Sequence, residues 1–184
     1  MASDGNYAKD LERFTAIAVR YCEVVDAAAN LQKVQLLAQI YRILPELVGE
    51  GIRLPDTDPF ERDKDEADDD SPLPPMREGI TYQECAVVYN LLKEKLGEDD
   101  LYWTVFDPTK DNEVIRGTLA DDIAGIYGDV KQGLLTLKKG AADSRLIIWD
   151  WRLSFYSHWG DHATSALRTI HALLREKFED GQSI

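Results

Sequence analysis

Apolar side chains recur every three or four residues along most of this 184-residue chain, and this periodicity constrains the fold more than any other feature. Such a repeat places the apolar residues on one face of an α-helix. A first stripe begins with Tyr7, Leu11 and Phe14, and a second runs from Leu31 to Val48. Because the connection between them is short, we expect an antiparallel pair of helices. The pattern predicts an all-α protein.

Capping residues indicate where helices begin and end. Asn30 is a predicted N-cap for the second helix. Thr81 and Glu84 form a predicted capping box for a third helix that ends at Gly97. The aromatic and β-branched run Leu101–Pro108, followed by TKDNE and VIRG, fits a short β-hairpin packed on the helices.

Two further helical stretches complete the prediction. One begins at Thr118 and ends near Gly140. Its interior Gly125 and Gly128 indicate a close neighbouring helix, because each costs about 1 kcal/mol of helix stability relative to alanine. The other extends over about residues 143–179, with Gly160 as the place for a kink or a break. The expected fold is a bundle of five or six helices, with the hairpin and one long acidic loop, in a single domain over residues 1–184.

The predicted loop covers residues 51–79 and holds five of the seven prolines. Between Asp56 and Asp70, nine acidic residues stand against Arg62 and Lys64, a local charge of −7 within a total of −13. Such a composition buries little apolar surface, so we expect a surface loop. Calcium binding is the alternative for Asp56–Asp70, but the run lacks the spacing and central glycine of an EF-hand.

Charge and hydropathy exclude several functional classes. A net charge of −13 without a Lys or Arg cluster argues against binding to nucleic acid or to an anionic membrane surface. No apolar run approaches the roughly 20 residues needed to span a bilayer, and the amino-terminal sequence lacks the features of a secretory signal. Cys22 and Cys85 lie among apolar residues, which is typical of buried thiols in a reducing compartment. We therefore expect a cytoplasmic protein.

The rarest side chains cluster in one segment. It contains all three histidines and three of the four tryptophans: Trp149, Trp151, His158, Trp159, His162 and His171. His158 and His162 are four residues apart and share a helix face, as do Asp122 and Asp129, which are seven apart. If their helices pack antiparallel, the four side chains converge into a divalent-metal site. This hypothesis predicts a metal-dependent hydrolase that acts on a small phosphorylated or nucleotide substrate.

A structural interpretation of the same residues remains open. His162 falls on an apolar stripe with Phe155 and Trp159, so it is also explained as a core-edge histidine that is hydrogen-bonded to a neighbouring helix. No HExxH motif is present. Whether His158 and His162 belong to the core or to a site, and whether the chain is an enzyme, are left open by the residues.

The surplus of aromatic residues leads to a different functional hypothesis. Trp103, Trp151 and Trp159, with Arg152 beside them, form a candidate surface for a partner. In this interpretation the chain is a non-enzymatic interaction or adaptor domain without a cofactor, and it binds another protein or a second copy of itself. Full burial of the three tryptophans would remove that surface.

Four segments follow one another in an order that matches a known family: IYRILPELVGEGIRLPD, EDDLYWTVFDP, LADDIAGIYGDVKQGL and WDWRLSFYSHWGDHATSALRTIH. From about Phe14 to Leu174, the chain resembles the bacterial domain-of-unknown-function family 5063 (DUF5063). The resemblance implies a bacterial, cytosolic, single-domain protein, and it implies no activity, substrate or cofactor. The positions that match in the fourth segment are Trp151, Phe155, His158, Trp159, Gly160 and His162.

Overall fold

The computed structural model describes residues 4–57, 79–140 and 144–181. Within these residues, six helices and one two-stranded antiparallel sheet are formed. The helices are α1 (Asp4–Asp26), α2 (Lys33–Arg53), α3 (Tyr82–Leu96), α4 (Leu119–Lys139), α5 (Ser144–Ser154) and α6 (Gly160–Glu179), and the strands are β1 (Leu101–Thr104) and β2 (Ile115–Thr118). The predicted all-α bundle with a short β-hairpin is confirmed.

Several predicted helix ends are confirmed in detail. At the start of α3, the Glu84 N–H donates to Thr81 Oγ1 at 3.2 Å, and the Thr81 N–H donates to Glu84 Oε2 at 2.7 Å. Gly97 and Gly140 follow α3 and α4 with φ of 59° and 64°, values that favour glycine. These local signals were sufficient because each depends on residues within one helical turn.

The predicted N-cap of α2 is wrong. Asn30 ends a 3₁₀ turn, Ala28–Asn30, and α2 begins only at Lys33. Gln32 is the N-cap, and its side chain and that of Gln35 form the reciprocal capping box. Leu31, the first residue of the predicted apolar stripe, is extended and lies outside the helix.

Helix α4 lies at the centre of the bundle and packs against α1, α3, α5 and α6. The buried Asp100 connects the hairpin to this helix, because its Oδ1 accepts a hydrogen bond of 2.7 Å from the Ala120 N–H in the first turn of α4. On the other side, the Tyr21 hydroxyl donates to the Ile123 carbonyl at 3.0 Å. Side chains on α4 are therefore held in place from several directions.

The C-terminal helical stretch contains one extra residue in its winding. Between α5 and α6, Phe155–Trp159 forms a π-helical turn, and the Gly160 N–H donates to the Phe155 carbonyl. A Cβ at residue 160 would lie 2.4 Å from that carbonyl oxygen. Gly160 therefore marks a π-bulge at the predicted irregularity, and such bulges frequently occur at functional sites.

The core contains Trp151 and Trp159, two of the three tryptophans of the C-terminal segment that holds the histidines. The Phe14 ring lies 4.6 Å from that of Trp151 and 6.0 Å from that of Trp159. Most of the predicted acidic loop, residues 58–78, lies outside the described residues. In the described part of the chain, none of the helices has the length and apolar character required to cross a membrane.

Candidate functional site

Helix α4 and the π-bulge region bring four of the predicted site residues into contact. His158 Nδ1 lies 2.7 Å from Asp129 Oδ2, and His162 Nδ1 lies 2.8 Å from Asp122 Oδ1. The two Nε2 atoms face each other at 3.3 Å. We call His158 and His162 the histidine pair, and the four residues together the carboxylate–histidine cluster.

Gly125 allows the imidazoles to approach helix α4. A Cβ at this position would lie 3.1 Å from His162 Cδ2, 3.3 Å from His162 Nε2 and 3.6 Å from His158 Cε1. Gly128 makes similar room for Cys85, whose Sγ would lie 3.3 Å from an added Cβ. The close neighbours predicted from these glycines are therefore α3 and the segment that carries the histidine pair.

The π-bulge determines which side chains of the segment around residues 151–162 face the core and which face the cavity. Trp151, Phe155 and Trp159 are buried, whereas the His158 side chain remains 52% exposed. His162, one turn beyond the bulge, is 22% exposed. This winding turns the aromatic side chains into the core and leaves both imidazoles beside the carboxylates of α4.

Burial and hydrogen bonding both act on the inner half of the cluster. The hydrogen bond with Asp122 raises the pKa of His162, and burial of the ring opposes this effect. Burial raises the pKa of the Asp122 carboxyl, whereas the hydrogen bonds from His162 and Tyr102 oppose that rise. The carboxylate and the imidazole therefore depend on each other for their charge state.

Tyr102 is a member of this network that the sequence reasoning missed. Its hydroxyl donates to Asp122 Oδ2 at 2.6 Å, so both oxygens of that carboxylate accept hydrogen bonds. Gly117 is paired with Tyr102 in the hairpin, and a Cβ there would lie 2.6 Å from Tyr102 Cζ. The period of two in β1 is the signal that could have found it, because Tyr102 faces inward while its neighbours Leu101 and Trp103 are exposed.

The histidine pair lines a cavity of about 700 Å³ between α3, α4 and the bulge. The other described lining residues are Ile80, Tyr82, Cys85, Ala86, Tyr89, Asp121, Ala124, Gly125, Gly128, Asp129 and Gln132. Among them, Asp121 and Asp129 carry negative charge and none is lysine or arginine. The walls are thus mainly apolar and aromatic, and the fixed charge beside the histidine pair is negative.

The structure does not arrange Asp122, Asp129, His158 and His162 as four ligands of one metal ion. Asp122 and Asp129 bond the Nδ1 atoms, so the carboxylates lie behind the imidazoles rather than beside the facing Nε2 atoms. Over residues 4–57, 79–140 and 144–181, no group of three or more His, Cys, Asp or Glu side chains is arranged to hold a metal ion. The two carboxylates orient the histidines.

The predicted aromatic surface is wrong for two of its residues. Trp151 and Trp159 are fully buried, and their indole N–H groups donate to the carbonyls of Val130 and Trp151, each at 3.2 Å. Only Trp103 is exposed among the three, at 65%. A helix packed on several sides buries aromatic residues around most of its circumference, which a single apolar stripe does not reveal.

Trp103 and Arg152, the other two residues of the predicted surface, contact different parts of the molecule. Trp103 stacks with the Arg116 guanidinium, whose Cζ is 4.9 Å from the ring centroid. Arg152 donates to the Leu54 carbonyl at 3.0 Å. No continuous surface therefore joins Trp103, Trp151, Arg152 and Trp159.

Comparison with known proteins places the chain in a family. Residues 6–176 match the family model described as Domain of unknown function (DUF5063). The chain belongs to the DUF5063 family. The match spans all four residues of the carboxylate–histidine cluster, and it confirms the resemblance seen in the sequence. No curated protein matches this DUF5063 chain.

A solved structure shares the fold of this DUF5063 protein. The crystal structure of protein BF1032 from Bacteroides fragilis, a structural-genomics target, superimposes with a TM-score of 0.71. The similarity covers 90% of this chain and 92% of that chain, at 20% sequence identity. At this identity the likeness shows the fold alone.

Proposed function

We propose that this DUF5063 protein is an enzyme that hydrolyses a small molecule bound in the cavity, with the histidine pair as its reactive centre. One observation carries the proposal: two imidazoles, each held at Nδ1 by a carboxylate, bring their Nε2 atoms to 3.3 Å beside an open cavity. Cavities of roughly 300–1,000 Å³ with a few convergent polar groups are typical of small-molecule sites.

Stability alone is a poor explanation for this cluster. Placing charged groups between packed helices costs desolvation energy, and apolar residues of similar volume often stabilise such positions equally well or better. Asp122 is only 4% exposed, yet it accepts hydrogen bonds from both Tyr102 and His162. The retained polar groups and their alignment support a chemical role for the pair.

The cavity favours an uncharged or positively charged substrate with an apolar part. Asp121 and Asp129 line it, and Asp122 lies directly behind His162. None of the lining residues in the described part of the chain supplies a cationic side chain for a phosphate group. We therefore propose a neutral ester or amide in place of the phosphorylated or nucleotide substrate expected from the sequence.

The test compares p-nitrophenyl acetate, a neutral ester, with p-nitrophenyl phosphate. In the ester reaction, water adds its hydroxyl to the acyl carbon, the bond to the phenolate oxygen breaks, and the remaining water proton goes to the leaving phenolate. We expect hydrolysis of the ester above the buffer rate and at least tenfold faster than that of the phosphate. General acid–base assistance typically contributes about 10²- to 10⁴-fold, which is enough to raise the ester rate clearly above the buffer rate.

Substitution of the histidines tests whether the esterase activity depends on the histidine pair. H158Q and H162Q are expected to lose most of the esterase rate, whereas H171Q retains it, because His171 is exposed and hydrogen-bonded to Tyr41 elsewhere in the bundle. Equal rates in the wild type and in the H158Q/H162Q double variant would refute the proposal. Faster hydrolysis of the phosphate would refute the proposed substrate class.

The interaction hypothesis has lost most of its support. Of its three tryptophans, Trp103 alone is exposed, and it lies on the hairpin. A partner surface would have to be built from the hairpin rather than from the histidine segment. The geometry of the cavity therefore favours an enzyme over an adaptor.

A further inference from the structure

We propose that a divalent transition-metal ion binds between His158 Nε2 and His162 Nε2, with its remaining coordination positions open to the cavity. This inference rests on the proposed function, because it names the cofactor of the same site. Asp122 and Asp129 are positioning residues in this arrangement, not metal ligands.

The separation of the two nitrogens fits a tetrahedral metal ion. With metal–nitrogen distances of roughly 2.0–2.1 Å and an angle of about 109°, two ligand nitrogens lie about 3.3–3.4 Å apart. The Nε2 atoms of His158 and His162 are 3.3 Å apart. The same distance permits a long direct hydrogen bond when one of the two Nε2 atoms carries a proton. When both Nε2 atoms are unprotonated, the spacing matches that of two nitrogens bound to one metal ion.

The hydrogen bonds behind the histidines determine which nitrogens are available. A carboxylate accepts hydrogen bonds, so Asp129 and Asp122 place the ring protons on the two Nδ1 atoms. In the neutral form of each ring, which is the form that binds a metal, the lone pair is then on Nε2, and the two Nε2 atoms face each other. A cation between them would accept both lone pairs. Metal-binding histidines typically donate their other ring N–H to a carboxylate in this manner.

The second oxygen of Asp122 strengthens the same arrangement. Tyr102 donates to Oδ2 at 2.6 Å, which leaves Oδ1 to accept from His162 at 2.8 Å. The Asp122 carboxylate is therefore held from two elements, the hairpin through Tyr102 and α6 through His162. It cannot turn toward the space between the Nε2 atoms without losing one of these hydrogen bonds.

The electrostatic surroundings favour a cation. Asp122 and Asp129 are in direct contact with the histidine pair, and Asp121 also lines the cavity. The nearest lysine along α4, Lys131, pairs with Asp26 at 2.8 Å. A dication would offset two of the three negative charges of Asp121, Asp122 and Asp129, so the loaded site would still favour a neutral substrate over a phosphate.

The donor atoms indicate which metals are suitable. Imidazole nitrogens suit zinc, copper, nickel and iron, whereas magnesium and calcium prefer oxygen ligands. Because the described residues supply no third ligand, water or substrate would complete the coordination. Catalytic zinc sites usually combine three protein ligands with one open position, whereas this site would have two protein ligands and leave two positions of a tetrahedral ion open.

The experiment is calorimetric titration of the full-length, tag-free, EDTA-dialysed protein with ZnCl₂, CoCl₂ and MgCl₂ at neutral pH. We expect one Zn²⁺ or Co²⁺ per chain, and at least 100-fold weaker binding of Mg²⁺. Cobalt should also produce the visible absorption of a four-coordinate ion. D122N and D129N should weaken zinc binding by about 10- to 100-fold, the range expected for partners that orient ligands.

Variants separate this site from adventitious binding. H158Q and H162Q should each weaken zinc binding more than tenfold, and H171Q should leave it unchanged. If H162Q fails to fold, H158Q decides the matter, because the His158 side chain is half exposed and its loss is tolerable. Absence of zinc and cobalt binding, or zinc binding that survives the H158Q/H162Q double variant, would overturn the inference.

The two proposals fail in different ways. If esterase activity depends on the histidine pair but is unaffected by EDTA and by added zinc, the metal inference is wrong and the proposed function stands. If zinc binds at the pair but the loaded protein hydrolyses neither ester nor phosphate, the metal site stands and the proposed function is wrong.

Discussion

Two tyrosine–aspartate hydrogen bonds have equal lengths but differ in the burial of the acceptor. Comparing them measures how much burial adds to the contribution that a hydrogen bond to Asp122 makes to the free energy of unfolding. Tyr102 donates to Asp122 and Tyr127 donates to Asp26, each at 2.6 Å. The Asp122 side chain is 6% exposed, whereas that of Asp26 is 47% exposed. Replacing either tyrosine by phenylalanine removes only the hydroxyl group.

We expect Tyr102→Phe to lower the free energy of unfolding by about 1.5–3 kcal/mol, the cost of removing a hydrogen bond to a buried charged group. Water can replace the lost donor at Asp26, and Lys131 remains paired with that carboxylate at 2.8 Å. Tyr127→Phe should therefore cost only about 0.5–1 kcal/mol. The predicted difference is about 1–2 kcal/mol between two chemically identical substitutions.

Urea unfolding measures both changes, with stability read from the shift in midpoint at an unchanged slope. Equal losses for the two variants, or a larger loss for Tyr127→Phe, would show that burial of Asp122 does not control the contribution of its hydrogen bonds. Metal titration of Tyr102→Phe should also show weaker zinc binding, because Asp122 loses one of the contacts that hold it behind His162.

Three further outcomes follow from single sites. Gly133→Ala should destabilise the fold by about 1–3 kcal/mol in thermal melts, because the new Cβ would lie 2.2 Å from Trp151 Cε2 in the core. Cys22 should resist DTNB in the native protein while Cys85 reacts first, because Cys22 is buried with its pKa raised by burial to about 12, whereas the Cys85 thiol is only half-buried, although burial raises its pKa too. Hydrogen bonds at the start of α3 lower the pKa of Glu84 below its ordinary 4.5, so the folded state binds fewer protons, and stability should be lost as pH falls through the folded pKa. Glu84→Gln should remove this part of the acid dependence of the melting temperature.

Local features of the fold could be predicted because each depends on neighbouring residues. The Thr81–Glu84 capping box spans a single turn, and Gly97 and Gly140 end helices through their own backbone conformation. The predicted N-cap at Asn30 is wrong because Asn30 ends a 3₁₀ turn and the next residue, Leu31, is extended rather than helical.

The pairing within the cluster could be predicted only in part. The spacing of His158 from His162, and of Asp122 from Asp129, places each pair on one helix face. Which ring nitrogen contacts which carboxylate depends on the distance and angle between the two packed helical segments. The residues in contact are far apart in sequence: Asp129 and His158 are separated by 29 residues, and Asp122 and His162 by 40. Tyr102 reaches Asp122 through the hairpin, which no helical spacing encodes.

By itself, the sequence determined the helical class, most helix ends, the hairpin and the segment in which chemistry should be sought, because these follow from periodicity and capping over a few residues. Only the tertiary structure decided that Trp151 and Trp159 belong to the core and that the two Nε2 atoms face each other beside a cavity. Burial and the direction of a side chain are set by which helices pack against it and by the extra residue of the π-bulge. Those are properties of the assembled bundle.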